Sequence, residues 1–366
     1  MERIYHPNLR NAVVASGTEK DPLVLEGIVR KTGNGSLFLS WTGGGSGEPA
    51  LENVVKYRRS FDNGLTWTPE EILFAHPKKG MFMPALFMDG NSLYAFPGSY
   101  YSYYETGFSQ DMQSYISVSH DCGETFSLPH SIPGCINNIH IKCTLKIGNR
   151  WIFPCSWVEI TDKYWASAAN ANKSCIVAGK EIRQPAPEQY KNPLEYNLDW
   201  YWNHTEFCGV LISDDEGKTF RIRGRIGHVG TYFVEPVMTL LSDGTLIMLL
   251  RTKEHCLYES RSYDNGETWS EPVATDIPSP ITKVCLLRDH AGRIYLLHNP
   301  STTARSPLSV WISNDDMKSW NRKIDLVQDS VRPVCYPDGF IDEDRGLLCF
   351  SWDDRSHIYY SEFPID

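Results

Sequence analysis

The sequence predicts an all-β chain folded as a six-bladed β-propeller. One observation is a box of the form Ser-x-Asp-x-Gly-x-Thr-aromatic at 60–67, 119–126, 213–220 and 262–269, with a decayed copy at 313–320. A second is a turn-plus-strand unit that occurs six times. Glycine turns at 33–35, 89–91, 148–150, 243–244, 292–293 and 345–346 each feed an apolar, β-prone run. The third is spacing. The box serines Ser60, Ser119, Ser213, Ser262 and Ser313 are 59, 94, 49 and 51 residues apart, and about 50 residues makes one four-stranded blade.

Each element has a physical reason. In the box, the Asp accepts hydrogen bonds from the turn's own backbone N–H groups, and the Gly supplies a positive φ that other residues resist. Ser and Thr tie the ends together, and the aromatic opens the next strand and packs inward. The boxes are therefore folding devices with no direct catalytic role. Five of the six turn-plus-strand units are followed by a box; the sixth runs out of chain near Phe363. A ring that lacks its last strand is closed by a strand from the N-terminus.

The repeats occupy almost the whole of 1–366, which predicts a single propeller domain with an insertion at about 160–206, inside the long 94-residue interval. A long loop of this kind covers one mouth of the channel and can carry function.

Composition narrows the function classes. The net charge is −10, with no basic cluster, which argues against nucleic acid as a partner. No apolar run approaches membrane-spanning length, so no membrane partner is expected. The opening residues do not read as a signal peptide, so the expectation is a cytoplasmic protein or one whose leader has been removed. The ten cysteines include no Cys-x-x-Cys pair, and many, such as Cys143, Cys155, Cys285 and Cys349, fall in apolar runs. Buried reduced thiols are the expectation, rather than a zinc site or disulfides.

The fourth blade carries the best local chemical signal. Glu235 opens one strand and Arg251 closes the next across a hairpin, so the two ends share an edge. An ion pair there is either a simple salt bridge or the start of an anion site, since Arg grips carboxylates in bidentate fashion.

With these residues in place the chain resembles the sialidase superfamily, in its branch with Asp-box (BNR) repeats, over essentially its whole length. The resemblance implies a propeller of sialidase type and an exo-acting glycoside hydrolase for a terminal acidic sugar. By that resemblance, Tyr336 in the Cys335-Tyr336-Pro337 stretch is the nucleophile and Glu235 the base that takes its proton. Arg251 and Arg305 match two arginines of the family's carboxylate clamp. The chain departs from the family in two places. The first blade has no Arg-Ile-Pro: the stretch 25–30 contains Glu26 and an Arg30 that is out of register. Where the general-acid Asp is expected, the stretch 43–48 offers only Glu48. A uronate or keto-deoxy acid suits such a reduced clamp as well as sialic acid does.

A neutral Tyr nucleophile suits an anomeric carbon that bears a carboxylate, because a charged carboxylate nucleophile is repelled. His140, before the third-blade turn, and His204, at the end of the insertion, open a rival reading: a uronate-directed propeller lyase or hydrolase that uses His and Tyr. Lys142 is either an extra substrate-carboxylate partner or a solvated lysine. Arg355 sits in a polar turn beside Asp353 and Asp354, where surface pairing is the default. A non-catalytic glycan-binding propeller is the third reading. The partner expected throughout is an acidic glycan or oligosaccharide. The sequence implies no metal and no organic cofactor.

Overall fold

The computed structural model describes residues 3–48, 50–77, 79–100, 113–133, 139–142, 145–158, 174–177, 180–183, 206–228 and 232–365. Six antiparallel sheets follow one another along the chain as blades. The first runs Val24–Lys31, Leu37–Gly43, Val54–Ser60 and Glu71–Phe74 from inside to outside; the second starts at Gly80–Asp89, the third at Ile139–Ile141 and Leu145–Ile147, and the fourth at Val234–Leu240. The fifth starts at Cys285–Arg288 and gains Ile4–Tyr5 at its outer edge. The sixth has Cys335–Asp342, Leu347–Asp353 and His357–Pro364, and its outer strand is Arg10–Ser16, which pairs from Arg10↔Glu362 to Ser16↔His357. The N-terminal segment thus closes the ring.

The sheets pack face to face, as propeller blades must. Six apolar clusters fill the six junctions between neighbours. The closing junction, between blades six and one, holds Val14, Leu39, Trp41, Ile358 and Tyr360. Inner strands such as Leu37–Gly43, Leu246–Arg251 and Ile294–His298 are buried along their whole length, which explains their continuous apolar runs, while outer strands such as Glu71–Phe74 and Arg322–Gln328 are largely exposed.

The boxes form the turns expected of them. In the first, Gly64 N donates to Ser60 Oγ at 2.7 Å, Thr66 N donates to Asp62 Oδ1 at 2.9 Å, and Thr66 Oγ1 donates to Asp62 Oδ2 at 2.5 Å. The decayed copy keeps the same bonds through Ser313, Asp315 and Ser319, with Met317 taking the left-handed φ of 63° where the others have Gly. The box aromatics pack as expected: Trp67 lies edge-on to Tyr360, and Phe126 sits against Phe38 and Phe74. Gly64 meets a second demand, since a Cβ there would lie 2.4 Å from the Tyr360 ring.

One irregularity matters for function. The innermost strands of blades one, two, four and six each carry a bulge near their start, between Leu25 and Ile28, Phe82 and Ala85, Val234 and Val237, and Cys335 and Asp338. Within three of these bulges a non-glycine residue takes a left-handed φ: Glu26 at 56°, Glu235 at 45° and Tyr336 at 54°. Ile281, just before the inner strand of blade five, does the same at 56°. A bulge re-aims the side chain it carries. Such backbone costs about 1–3 kcal/mol per residue and is concentrated at functional sites.

The insertion contains a two-stranded hairpin, Ser174–Val177 with Lys180–Arg183. His204 and Cys143 lie outside the described residues. Cys122, Cys155, Cys208, Cys256, Cys285, Cys335 and Cys349 are free, and all but Cys256 are buried.

Candidate active site at the channel mouth

The bulged residues meet. Lys142 Nζ, from the third blade, lies 3.3 Å from Glu235 Oε1 of the fourth and 3.8 Å from Glu26 Oε1 of the first. Lys283, from the fifth, lies 3.6 Å from the same Glu26 oxygen. Side chains from blades one, three, four and five can touch only near the axis of the ring, so this cluster marks one end of the channel.

The hairpin of blade four acts as its sequence suggests. Val234 is in register with Arg251, and Arg251 Nη1 pairs directly with Glu235 Oε2. Burial pushes the Glu235 carboxyl up, but Lys142, Arg251 and Lys283 overcome this and hold it well below the ordinary glutamate value. Glu26 is likewise kept ionised, with Lys283 and Lys142 outweighing its burial. Lys142 is thus a buried link between two protein carboxylates; the solvated lysine is ruled out by the acids that face it from two other blades.

Tyr336 projects from the sixth blade and is 6% exposed. Its hydroxyl accepts hydrogen bonds from Arg305 Nη1 and from Arg355 Nη2, each at 3.2 Å. Arg305 is fixed in turn by donating to Ile281 O at 2.9 Å. The direct Tyr336–Glu235 hydrogen bond implied by the family resemblance is not formed: the phenol oxygen is taken by two guanidinium groups, and the carboxylate by Arg251 and Lys142. Burial, with some help from Glu235, holds the phenol's pKa above its ordinary value, and Arg251, Arg305 and Arg355 offset only part of that rise.

Arg355 corrects the expectation of surface pairing. Its two acidic neighbours are committed elsewhere. Asp354 receives hydrogen bonds from Arg3, Tyr359 and the His357 backbone. Asp353 accepts from the backbone N–H groups of Glu26, at 2.9 Å, and Arg355 itself, at 3.1 Å. The guanidinium is left to reach the phenol. Arg30, by contrast, is held by Asp338 and by the carbonyls of Leu86 and Val29, which fits its being out of register.

Glu48 lies on the rim. It is exposed, and it feels the charges of Glu26, Arg355, Glu235 and Lys142. Desolvation, then the charges of Glu26 and Glu235, push its carboxyl up to about 8, and water in the mouth screens part of that effect. His140 sits edge-on to Phe82 at 5.2 Å, and burial together with Lys142 lowers its pKa, so the ring is neutral.

The structure therefore brings together Tyr336, Glu235, Arg251, Arg305, Lys142, Glu48 and His140. Sequence reading missed Glu26, Lys283 and the role of Arg355. The signal for Glu26 was the residue pattern at the bulges: Glu26-Gly27, Glu235-Pro236 and Tyr336-Pro337 occupy equivalent positions in their blades.

A BNR repeat-like domain model matches residues 201–349. Among solved structures, the Hadza microbial sialidase Hz136 superposes with a TM-score of 0.71 at 14% identity, covering 94% of this chain and 66% of that one. The fold is a six-bladed β-propeller like that of the sialidases. The Trypanosoma rangeli sialidase in complex with sialic acid gives a TM-score of 0.67 at 13% identity over 98% of this chain and 59% of that one. This propeller thus spans less than two thirds of either sialidase. A Dyadobacter fermentans protein of unknown function aligns over 99% of this chain and all of its own length, with a TM-score of 0.73 and 17% identity. No curated protein sequence matches the chain.

Proposed function

We propose that this propeller is an exo-acting glycoside hydrolase that removes a terminal sugar bearing a carboxylate. The observation that carries the reading is the double guanidinium contact on the Tyr336 hydroxyl, at the place where four other blades converge. Two positive charges on a phenol oxygen favour phenolate as the bond to the anomeric carbon forms. The same arginines, with Arg251, present donors to a carboxylate on that carbon.

In this reading Tyr336 attacks the anomeric carbon and forms a glycosyl–enzyme bond. Glu235, held ionised, receives the phenolic proton once substrate displaces part of its contact with Arg251 or Lys142. Glu48, whose carboxyl is pushed above its ordinary value, gives its proton to the departing oxygen. Water then hydrolyses the intermediate, with Glu48 as base. Sialic acid and other acidic sugars, uronates and keto-deoxy acids among them, all meet the electrostatic requirement. The acidic glycan partner and the roles of Arg251, Arg305 and Lys142 belong to this same proposal.

A uronate lyase is the second reading, favoured by one observation: His140 is held neutral beside the cluster, as a proton-abstracting base must be. The test is a panel of fluorogenic sialosides and uronides, with wild type beside Tyr336→Phe and Glu235→Gln. Hydrolysis lost in both variants supports the first reading. Undiminished turnover in both removes the mechanism, and near-ultraviolet absorbance from an unsaturated uronate moves the assignment to a lyase. Binding without turnover across the panel leaves a glycan-binding propeller.

A further inference from the structure

Lys283 helps to hold Glu26 and Glu235 ionised, but the mechanism above gives it no contact with substrate. It is 4% exposed, and its ammonium makes no hydrogen bond among the described residues. The nearest acid oxygen, Glu26 Oε1, is 3.6 Å away, and the Tyr336 ring centroid is 5.9 Å away. The adjacent Thr282 hydroxyl is fully buried and also lacks a hydrogen-bond partner. Leaving buried donors unmet is costly, and more so for a charged group. Burial lowers the lysine's pKa, but Glu26 and then Glu235 raise it above the ordinary value, so it stays cationic.

Charge around the mouth points the same way. Five cationic side chains, Lys142, Arg251, Lys283, Arg305 and Arg355, face two carboxylates held ionised, Glu26 and Glu235. A sugar with a single carboxylate leaves the hollow positive. The surplus has a definite place. Arg305 and Arg355 each give one nitrogen to the phenol oxygen and keep others for a substrate carboxylate, Arg251 is bound to Glu235 and Lys142 bridges two acids, while the Lys283 ammonium makes no hydrogen bond among the described residues.

We propose that Lys283 is a second oxyanion subsite, and that the site takes a sugar carrying two anionic groups: a carboxylate on Arg305 and Arg355, and a second oxyanion such as a sulfate ester on Lys283. The inference rests on the acidic-sugar part of the function proposed above, but not on hydrolysis. A neutral hydroxyl in the same place satisfies one lysine donor and leaves the charge surplus in place, whereas an oxyanion meets both.

The experiment is calorimetric binding of glucuronate and of glucuronate bearing one sulfate ester, at fixed low ionic strength, to wild type, Lys283→Met and Lys283→Arg. Wild type is expected to bind the sulfated sugar about tenfold to a hundredfold more tightly, as one added charge-assisted contact provides. Lys283→Met abolishes that preference while still binding plain glucuronate, and Lys283→Arg keeps it. The proposal is overturned if wild type binds both sugars equally or binds neither, or if Lys283→Met retains the preference. Should the Met variant not fold, Lys283→Gln, which is uncharged but still a donor, is measured in its place. A Lys283-dependent preference without turnover of any glycoside keeps the subsite and rejects the hydrolase. Turnover of singly charged sugars with no Lys283 dependence does the reverse.

Discussion

Converting Glu48 to Gln removes the carboxyl assigned to protonate the leaving group. With that carboxyl at about 8, about 90% of molecules carry the proton at pH 7 and about 10% at pH 9, so a rate that needs the acid falls about tenfold per further pH step. Because Glu48 is open to water in the mouth, screening draws the limb down towards the ordinary glutamate value of about 4.3. The limb therefore falls between those two values. The assay is kcat/KM from pH 4 to pH 10 on the acidic glycoside that the panel identifies, with one alkyl and one activated aryl leaving group. The alkyl glycoside should show the alkaline limb in wild type, and in Glu48→Gln it should lose both the limb and about 10²–10⁴ in rate. The aryl glycoside, whose leaving group departs without a proton, should be little changed. An alkaline limb that survives in Glu48→Gln, or equal losses on both substrates, refutes Glu48 as the acid.

Two predictions concern the frame. Gly64→Ala should destabilise the fold by about 2–4 kcal/mol, because it combines a left-handed φ of 76° with a Cβ placed 2.4 Å from the Tyr360 ring. Gly35→Ala, at φ 85° with nothing within 4 Å, should cost about 1 kcal/mol from backbone strain alone; equal urea midpoints for the two variants would contradict the packing argument. Asp353 is fully buried, and burial raises its carboxyl to about 7 against the pull of Glu26 N and Arg355. The folded state thus binds this proton more tightly than the unfolded state does, so its contribution is complete below about pH 4 and is lost as pH rises through about 7. The urea midpoint of wild type, measured against Asp353→Asn, should fall across that window, and parallel curves would refute the assignment.

What the sequence disclosed and what it hid follow one rule. The boxes were legible because each is a local device: Asp62 bonds to Thr66 within its own turn. Glu235 and Arg251 were legible because a hairpin register brings together residues only 16 apart in the chain. Arg355 was misread because its sequence neighbours are acids, whereas in three dimensions Asp354 belongs to Arg3, a partner 351 residues away. Lys283 carries no motif at all, and Glu26-Gly27 stands out only when set beside Glu235-Pro236 and Tyr336-Pro337. The meeting of Glu26 and Lys283 depends on a bulge in the first blade and a left-handed residue before the fifth, and neither is visible in hydrophobic alternation. The carboxylate–phenol contact expected from family likeness was displaced for a related reason: the arginine that reaches the phenol from the end of the sixth blade's second strand was taken to face solvent.

Closure of the ring by Arg10–Ser16 against His357–Pro364 has a consequence for biosynthesis. Arg10–Ser16 is made long before His357–Pro364 and must wait for it unpaired. Early blades can assemble during translation, yet the sixth cannot be completed until His357–Pro364 has emerged, and contacts this far apart in sequence form slowly. Tyr336 and Arg355 both belong to that last blade. A chain made only as far as the fifth blade therefore holds most of the scaffold and lacks the phenol with one of its guanidinium partners, so any catalytic competence waits for the sixth blade.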